Sequence, residues 1–169
     1  MNTTERAGAT QYLTYKLADE VFAFDISKVR EVLDFTTITK VPKMPDFMRG
    51  VINLRGSVVP VVDLRLRFGM PQTDKTVDTC VIITEVNVEG EPTTIGALAD
   101  SVQEVIDLGP ENIEPAPRIG TGLNTSFIKG MGKHNDRFII ILDIDKMFSV
   151  EELAAVQAGS REPALTEAA

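Results

Sequence analysis

Phe47-Met48-Arg49-Gly50 and Val61-Val62-Asp63-Leu64, running on to Phe68, return as Phe127-Ile128-Lys129-Gly130 and Ile141-Leu142-Asp143-Ile144, running on to Phe148. The spacing is constant across both stretches (127 − 47 = 148 − 68 = 80), so the register does not slip. Upstream, Val29-Arg30-Glu31-Val32-Leu33-Asp34 matches Val102-Gln103-Glu104-Val105-Ile106-Asp107, and Val41-Pro42 corresponds to Ala116-Pro117 after small insertions. The order of segments is therefore the same twice. Barrel strands resemble one another in composition, but here charged and glycine positions align along with the apolar ones, which composition alone does not require. A self-similar unit of this length, made of about five short strands, predicts an all-β fold of two similar small barrels in one compact unit, spanning about 12–68 and 79–148.

Outward from the repeat, period-two alternation dominates. Leu13, Tyr15 and Leu17 point one way and Thr14 and Lys16 the other; after Ala18-Asp19 the pattern resumes with Phe22, Phe24 and Ile26, which reads as a hairpin. Further strands are expected at Gly50 to Asn53, Val58 to Leu64, Thr79 to Val86, Thr94 to Ala99 and Arg137 to Asp143, short, β-branched and bounded by Gly, Pro or Asp. Pro60 removes a ladder donor from Val58-Val59-Pro60-Val61-Val62 and is expected at an edge or a bend. Helix is scarce until Ser149, which forms a capping box with Glu152 while Phe148 and Leu153 have the spacing of a hydrophobic staple. A C-terminal helix over 149–159 follows, ended by Gly159, with Met1 to Thr10 a flexible start and Ser160 to Ala169 a disordered tail.

The chain has 169 residues, 43% of them hydrophobic, enough for one well-buried core or two small ones sharing a wall. Seventeen Lys and Arg against 25 Asp and Glu leave a net charge of −8, which repels phosphate backbones and anionic lipid, so neither nucleic acid nor a membrane surface is an expected partner. No apolar run approaches the roughly 20 residues that cross a bilayer, and a single cysteine, Cys80, allows no internal disulfide; a cytoplasmic location is expected. Asn2-Thr3-Thr4 and Asn124-Thr125-Ser126 match a glycosylation pattern that has no use there.

Reactive constellations are missing from the pattern. The one histidine, His134, sits in the polar turn Gly132-Lys133-His134-Asn135-Asp136, and Cys80 lies among Val81, Ile82 and Ile83 on a strand, as a buried structural thiol would. Gly120-Thr121-Gly122 lacks the third glycine of a dinucleotide loop, and Gly132-Lys133 is followed by His134 where a phosphate loop needs Ser or Thr. Acidic residues lack the spacing of a calcium loop, and Cys and His are too few for zinc, so no cofactor and no metal is expected. Two carboxylates meeting in space remain the one catalytic arrangement that spacing leaves open.

The run Phe47-Met48-Arg49-Gly50-Val51-Ile52-Asn53-Leu54-Arg55-Gly56-Ser57-Val58-Val59-Pro60-Val61-Val62-Asp63-Leu64 resembles the CheW family of chemotaxis coupling proteins, and the resemblance extends from about Gln11 to Phe148. It takes in the opening hairpin, Val29 to Val32, the Gly96 to Val105 region and Phe127-Ile128-Lys129-Gly130. The resemblance implies SH3-like five-stranded β-barrels with short helices and a terminal helix over residues 11–148 and beyond. It also implies a non-enzymatic adaptor, without cofactor, that joins cytoplasmic tips of chemoreceptors to the regulatory domain of the histidine kinase CheA in membrane-associated arrays. Receptor contact would fall on a groove near the barrel junction, at positions like Val29, Glu31, Ile38, Asn53, Arg55, Cys80 and Val102.

Arg55 is the sharpest of these, because the repeat places Asn135 at the matching point and the barrel itself does not require the charge. A guanidinium there forks onto a partner's carboxylate or carbonyls, or pairs internally with Glu31, or does both. Val29, Val32 and Ile38 are its apolar complement or barrel core. A related type fuses such a domain to a receiver, for which the chain past the repeat has no room; an adaptor of a pilus or second-messenger pathway fits the same residues. A β-barrel enzyme or small-ligand carrier is the alternative from another class, and an apolar pocket with converging carboxylates would favour it.

Overall fold

The computed structural model of the chain describes residues 9–70, 76–88, 90–115 and 127–147. Most of the expected flexible start, the helix expected over 149–159 and the tail 160–169 lie outside the described residues. Among the described residues eleven strands run in chain order: β1 (Thr10–Leu17), β2 (Glu20–Asp25), β3 (Val29–Asp34), β4 (Met48–Leu54), β5 (Ser57–Asp63), β6 (Cys80–Val88), β7 (Glu91–Ala99), β8 (Ser101–Leu108), β9 (Ile113–Glu114), β10 (Ile128–His134) and β11 (Arg137–Leu142). One short helix, α1 (Leu64–Arg67), follows β5, and the 3₁₀ turn Ile144–Lys146 follows β11 at the matching place. Each expected strand has an observed counterpart with ends shifted by up to three residues; those expected to reach Leu64 and Asp143 stop at Asp63 and Leu142, where the two aspartates cap the turns that follow. β3, β8 and β10, which the alternation had not marked because charges and glycines interrupt it, are strands as well.

The strands form a six-stranded sheet, β8-β1-β2-β11-β10-β9, and a five-stranded sheet, β3-β6-β7-β5-β4. The repeat boundary is not a sheet boundary. The opening hairpin β1–β2 lies with β8 to β11, and the hairpin β6–β7 lies with β3 to β5. Each hairpin joins its sheet through a parallel pairing, β2 with β11 and β7 with β5. The registers repeat residue for residue: Val32–Ile82–Ala97–Val62–Met48 across one sheet corresponds to Val105–Leu13–Phe24–Leu142–Ile128 across the other. Even the lateral bridge recurs, Thr39 with Val51 and Glu114 with Met131.

Because side chains alternate across a strand, each sheet has two apolar faces, and the described residues form three cores. Leu13, Tyr15, Leu17, Phe22 and Phe24 from one sheet meet Val62, Ile82, Ile95 and Ala97 from the other in a central core. There Phe68 stacks between Phe22 and Phe127, with ring centroids 5.6 and 5.2 Å away. The opposite faces close on themselves, around Tyr12, Ala23, Ile106, Leu108, Ile139 and Ile141 in one sheet and Ile52, Val59, Val61, Val81 and Ile83 in the other. This is the packing of two small curled sheets sharing a wall. Pro60 is not on an edge strand, since β5 runs between β7 and β4. It is accommodated because the N–H and C=O of its cross-strand partner Val51 both turn outward to Thr39, at 2.8 Å each, and because pairing with β7 begins only at Val61.

Polar contacts repeat as well. The carboxylates of Asp63 and Asp143 cap the turns that follow, accepting from Arg65 N at 2.9 Å and Asp145 N at 3.1 Å, and their own N–H groups donate to Phe47 O and Phe127 O. Arg67 donates through Nε and Nη2 to the carbonyl of Met147, at 2.9 and 2.6 Å, which is its own counterpart 80 residues on. Where the two sheets meet at their ends the charges are reversed. Asp100 accepts from Arg65 Nε at 2.9 Å and from the Ala18 N–H of the first hairpin turn at 2.7 Å. At the other end Asp145 accepts from Lys28 Nζ at 2.6 Å and from Asn87 N at 2.9 Å.

Gly50 has φ +145°, and a Cβ there would stand 2.1 Å from the Thr39 carbonyl oxygen. Gly50→Ala is expected to lower the unfolding free energy by more than about 3 kcal/mol in urea titrations. Gly56→Ala, at φ +88° with open space around it, should cost about 1 kcal/mol. Burial alone would raise the Asp100 pKa, but the Arg65 fork and the Ala18 N–H outweigh it and hold the carboxyl below its usual value. Its contribution is therefore present above the unfolded-state pKa and is lost as pH falls through the folded one. Asp100→Asn should cost on the order of 1–3 kcal/mol at pH 7, and the difference from the unmodified chain should shrink as melts are repeated toward pH 3.

Candidate protein-docking site

Between β4 and β5 the chain reverses in two residues, Arg55 at φ +50° and Gly56 at φ +88°. Positive φ at both central positions is the turn that matches strand twist, and it costs the arginine about 1 kcal/mol of local strain. Asn53 offsets part of this, its Oδ1 accepting from Gly56 N at 2.9 Å. The matching turn of the second copy, Asn135-Asp136, has φ +52° and +63°, so the backbone is the same and the side chains differ.

From this tip Arg55 reaches Glu31. Its Nη1 donates to Glu31 Oε1 at 3.3 Å and its Nη2 to Oε2, a fork that joins the two edge strands of the five-stranded sheet, β3 and β4. The guanidinium hydrogen bond holds the Glu31 carboxyl below the ordinary carboxylate range and raises the Arg55 pKa in turn. Arg55 is nevertheless 70% exposed and Glu31 31% exposed, so the pair closes the sheet edge and still faces solvent. Exposed pairs of this kind contribute little to stability, which leaves the fork available for another role.

The remaining candidate residues fall in different places. Asn53 flanks the Arg55 turn with an exposed side chain. Ile38 is half-buried and packs on the small core of the five-stranded sheet, against the site where Gly50 admits no Cβ. Val29 and Val102 are half-buried against the central core, at matching positions of the two copies. Cys80 is buried within that core, between Asp34 and Ala99 in the sheet, with the Val102 backbone beside its thiol. Val29 pairs with Thr84, four residues along β6 from Cys80 and roughly 13 Å away. Glu31, Asn53 and Arg55 therefore form one exposed cluster, while Cys80 supports Val102 from beneath.

Two exposed valines extend the apolar complement. Val32, 41% exposed, sits opposite Ile82 on the outer strand of one sheet, and Val105, 48% exposed, sits opposite Leu13 on the outer strand of the other. Val105 is the counterpart of Val32 in the repeat, and alignment of the two copies is the signal in the sequence that marks it as a surface residue. Phe138 is exposed too, with Lys133 Nζ 5.9 Å from its ring centroid. Among the described residues no group of His, Cys, Asp or Glu side chains gathers as metal ligands do, and no helix is long and apolar enough to cross a membrane.

The profile of the CheW-like domain family matches residues 11–152. The chemotaxis protein CheW of Klebsiella aerogenes is 35% identical over 146 residues, 86% of either chain. That of Thermotoga maritima is 31% identical over 146 residues, 85% of this chain and 89% of its own. Among solved structures, the scaffolding protein TtCheW from Thermoanaerobacter tengcongensis superposes with a TM-score of 0.75 at 38% identity, covering 85% of this chain and 94% of that one.

Burial pushes the Cys80 thiol up to about 11, against the opposing effect of the Val102 backbone. At pH 8 about one thiol in a thousand is then ionised. Labelling with a disulfide reagent is expected to be at least a hundredfold slower in the native chain than in 8 M urea; equal rates would show that Cys80 is open to solvent.

Proposed function

The chain belongs to the CheW-like domain family, and from that premise we propose that it is a non-enzymatic adaptor coupling chemoreceptor tips to the histidine kinase CheA. The observation that carries this reading is the combination of a family match over most of the chain with an exposed Arg55–Glu31 fork. An adaptor needs rigid surfaces that present side chains in fixed directions, and a fork held between two edge strands meets that need.

In this reading the receptor presents an amphipathic helix. Its apolar side rests on Val32 and Val105 and on the margins of Val29, Ile38 and Val102. Its polar side meets the free N–H groups of Arg55 and the Asn53 amide. Glu31 pre-orients the guanidinium, so less side-chain entropy is lost when the partner arrives. Cys80 contributes by packing beneath Val102. The kinase's regulatory domain joins another part of the surface, and the signal passes as a small change in relative position. Each contact is weak alone, and membrane-associated arrays hold the components together by avidity.

Co-sedimentation with receptor-tip fragments and the kinase, singly and together, tests the reading. Binding to both, with higher kinase activity in the ternary mixture, is expected. Loss of either interaction in the unmodified chain overturns it. Arg55→Glu should leave the thermal melt within a few degrees of the unmodified chain and weaken receptor binding about tenfold. Exchanging the pair, Glu31→Arg with Arg55→Glu, restores the internal contact but not the direction of the charge. Receptor binding that returns with the exchange would reduce Arg55 to a positioning residue.

A further inference from the structure

The repeat runs to Phe68 and Phe148, and just past it the two copies part. After Phe68 the chain is turned by Gly69 at φ +78°, and Met70 N donates back to Arg65 O at 2.7 Å, which ends α1. The second copy has Ser149 where the first has Gly69, and with Glu152 it makes the box that opens the helix expected over 149–159. That stretch lies outside the described residues, but its point of departure does not. Met147, at φ −73° and ψ −22°, has helical backbone, and its carbonyl accepts from Arg67 at 2.9 and 2.6 Å.

Leu66, the neighbour of Arg67 on α1, lines a groove of about 310 Å³. The apolar wall of the groove is Leu66 with Val41, Met44 and Met48, of which the first three are half-buried and Met48 is buried. Its rim is basic. Lys40 and Lys43 are exposed, Arg49 donates to Asp63 at 3.2 Å, and Asp46 is the opposing acid. Lys43 stands at φ +63°, so the chain holds a lysine out on backbone that favours glycine. On a chain of net charge −8 such a rim selects an acidic, apolar-faced occupant.

We propose that the segment from Phe148 to Gly159 lies in this groove as an amphipathic helical strap, fixed at its start by the contact of Arg67 with Met147. Val150, Leu153 and Val156 recur at helical spacing and supply an apolar face for Val41, Met44 and Leu66. Glu151 and Glu152, the only charges of the segment, answer the lysines of the rim. The tether decides the occupant. A segment that starts beside the groove is present there at an effective concentration on the order of millimolar, which an outside helix of the same chemistry has to exceed. The strap withdraws this face from docking and does not depend on the adaptor reading above.

The chain has no tryptophan, so Leu153→Trp gives the full-length protein a sole fluorescent reporter. Its emission is expected well to the blue of the same protein in 8 M urea, and unchanged on dilution from about 100 to about 1 μM. Adding Met44→Asp puts a carboxylate on the apolar wall and should move the emission most of the way to the urea position, with the circular dichroism of the strands unaltered. Lys40→Glu with Lys43→Glu should move it part of the way at low salt, and further addition of Glu151→Lys with Glu152→Lys should bring it back. Without the reporter, glutamyl endopeptidase should cut after Glu151 and Glu152 about tenfold faster in Met44→Asp than in the unmodified chain. Emission at the urea position before any groove residue is changed overturns the strap, as does a blue emission that neither Met44→Asp nor the charge reversal moves. A blue emission that is lost on dilution assigns the groove to the segment of a second copy and overturns the intramolecular contact.

Discussion

The exchange of hairpins between the two copies of the repeat is the constraint on which everything else depends. β1–β2 completes the sheet of the second copy and β6–β7 that of the first, each through a parallel pairing of three residues, Ile140–Leu142 with Phe22–Phe24 and Val61–Asp63 with Gly96–Leu98. Each sheet therefore needs strands from both copies, and the central core is built from both hairpins at once. Parallel pairing between strands so far apart in sequence carries a high loop-closure cost, which burial of the aromatic cluster around Tyr15, Phe22, Phe24 and Phe68 offsets. The consequence is rigidity. Surfaces on the two curled sheets are held in one relation by three cores and not by a linker.

On that frame the two copies have diverged only where divergence is inexpensive. The caps Asp63 and Asp143, the carbonyl contacts of Phe47 and Phe127, and the turn dihedrals are shared, because each satisfies a backbone group that must be satisfied. The end contacts keep a carboxylate with one cation and one backbone N–H, but exchange which element supplies which: Asp100 with Arg65, Asp145 with Lys28. Solvent-facing positions follow no such rule. Arg55 against Asn135 and Ser57 against Arg137 give the two sheet mouths different electrostatic characters on one backbone.

Much of this was legible along the chain. The constant spacing of 80 residues, the turn chemistry and the alternation of Leu13, Tyr15, Leu17, Phe22 and Phe24 located the hairpins, the strands and the buried face. Residue identity also singled out Arg55, and its pairing with Glu31 was one of the two roles that identity allowed. The signal faded where local pattern is weak. In the edge strands β3 and β8 the polar pairs Arg30-Glu31 and Gln103-Glu104 break the alternation, and β10 is interrupted by Gly130 and Gly132, which leave room for Ile113, Glu114 O and Leu108 to approach. Pro60 reads as the marker of an edge or a bend, yet its tolerance depends on what Val51 does on its far side, and no local pattern reports that.

Sequence by itself determined the repeat, the class of fold, the family and the residues able to carry charge to the surface. Each of these is a property of spacing or of side-chain chemistry, and both are written along the chain. Tertiary structure alone decided which copy lends its hairpin to which sheet, and that Cys80 lies beneath the surface while Glu31 and Arg55 lie on it. The physical reason is that a hairpin's apolar face specifies burial but not the partner strand. The choice between closing on its own copy and crossing to the other is made by long-range packing in the shared core.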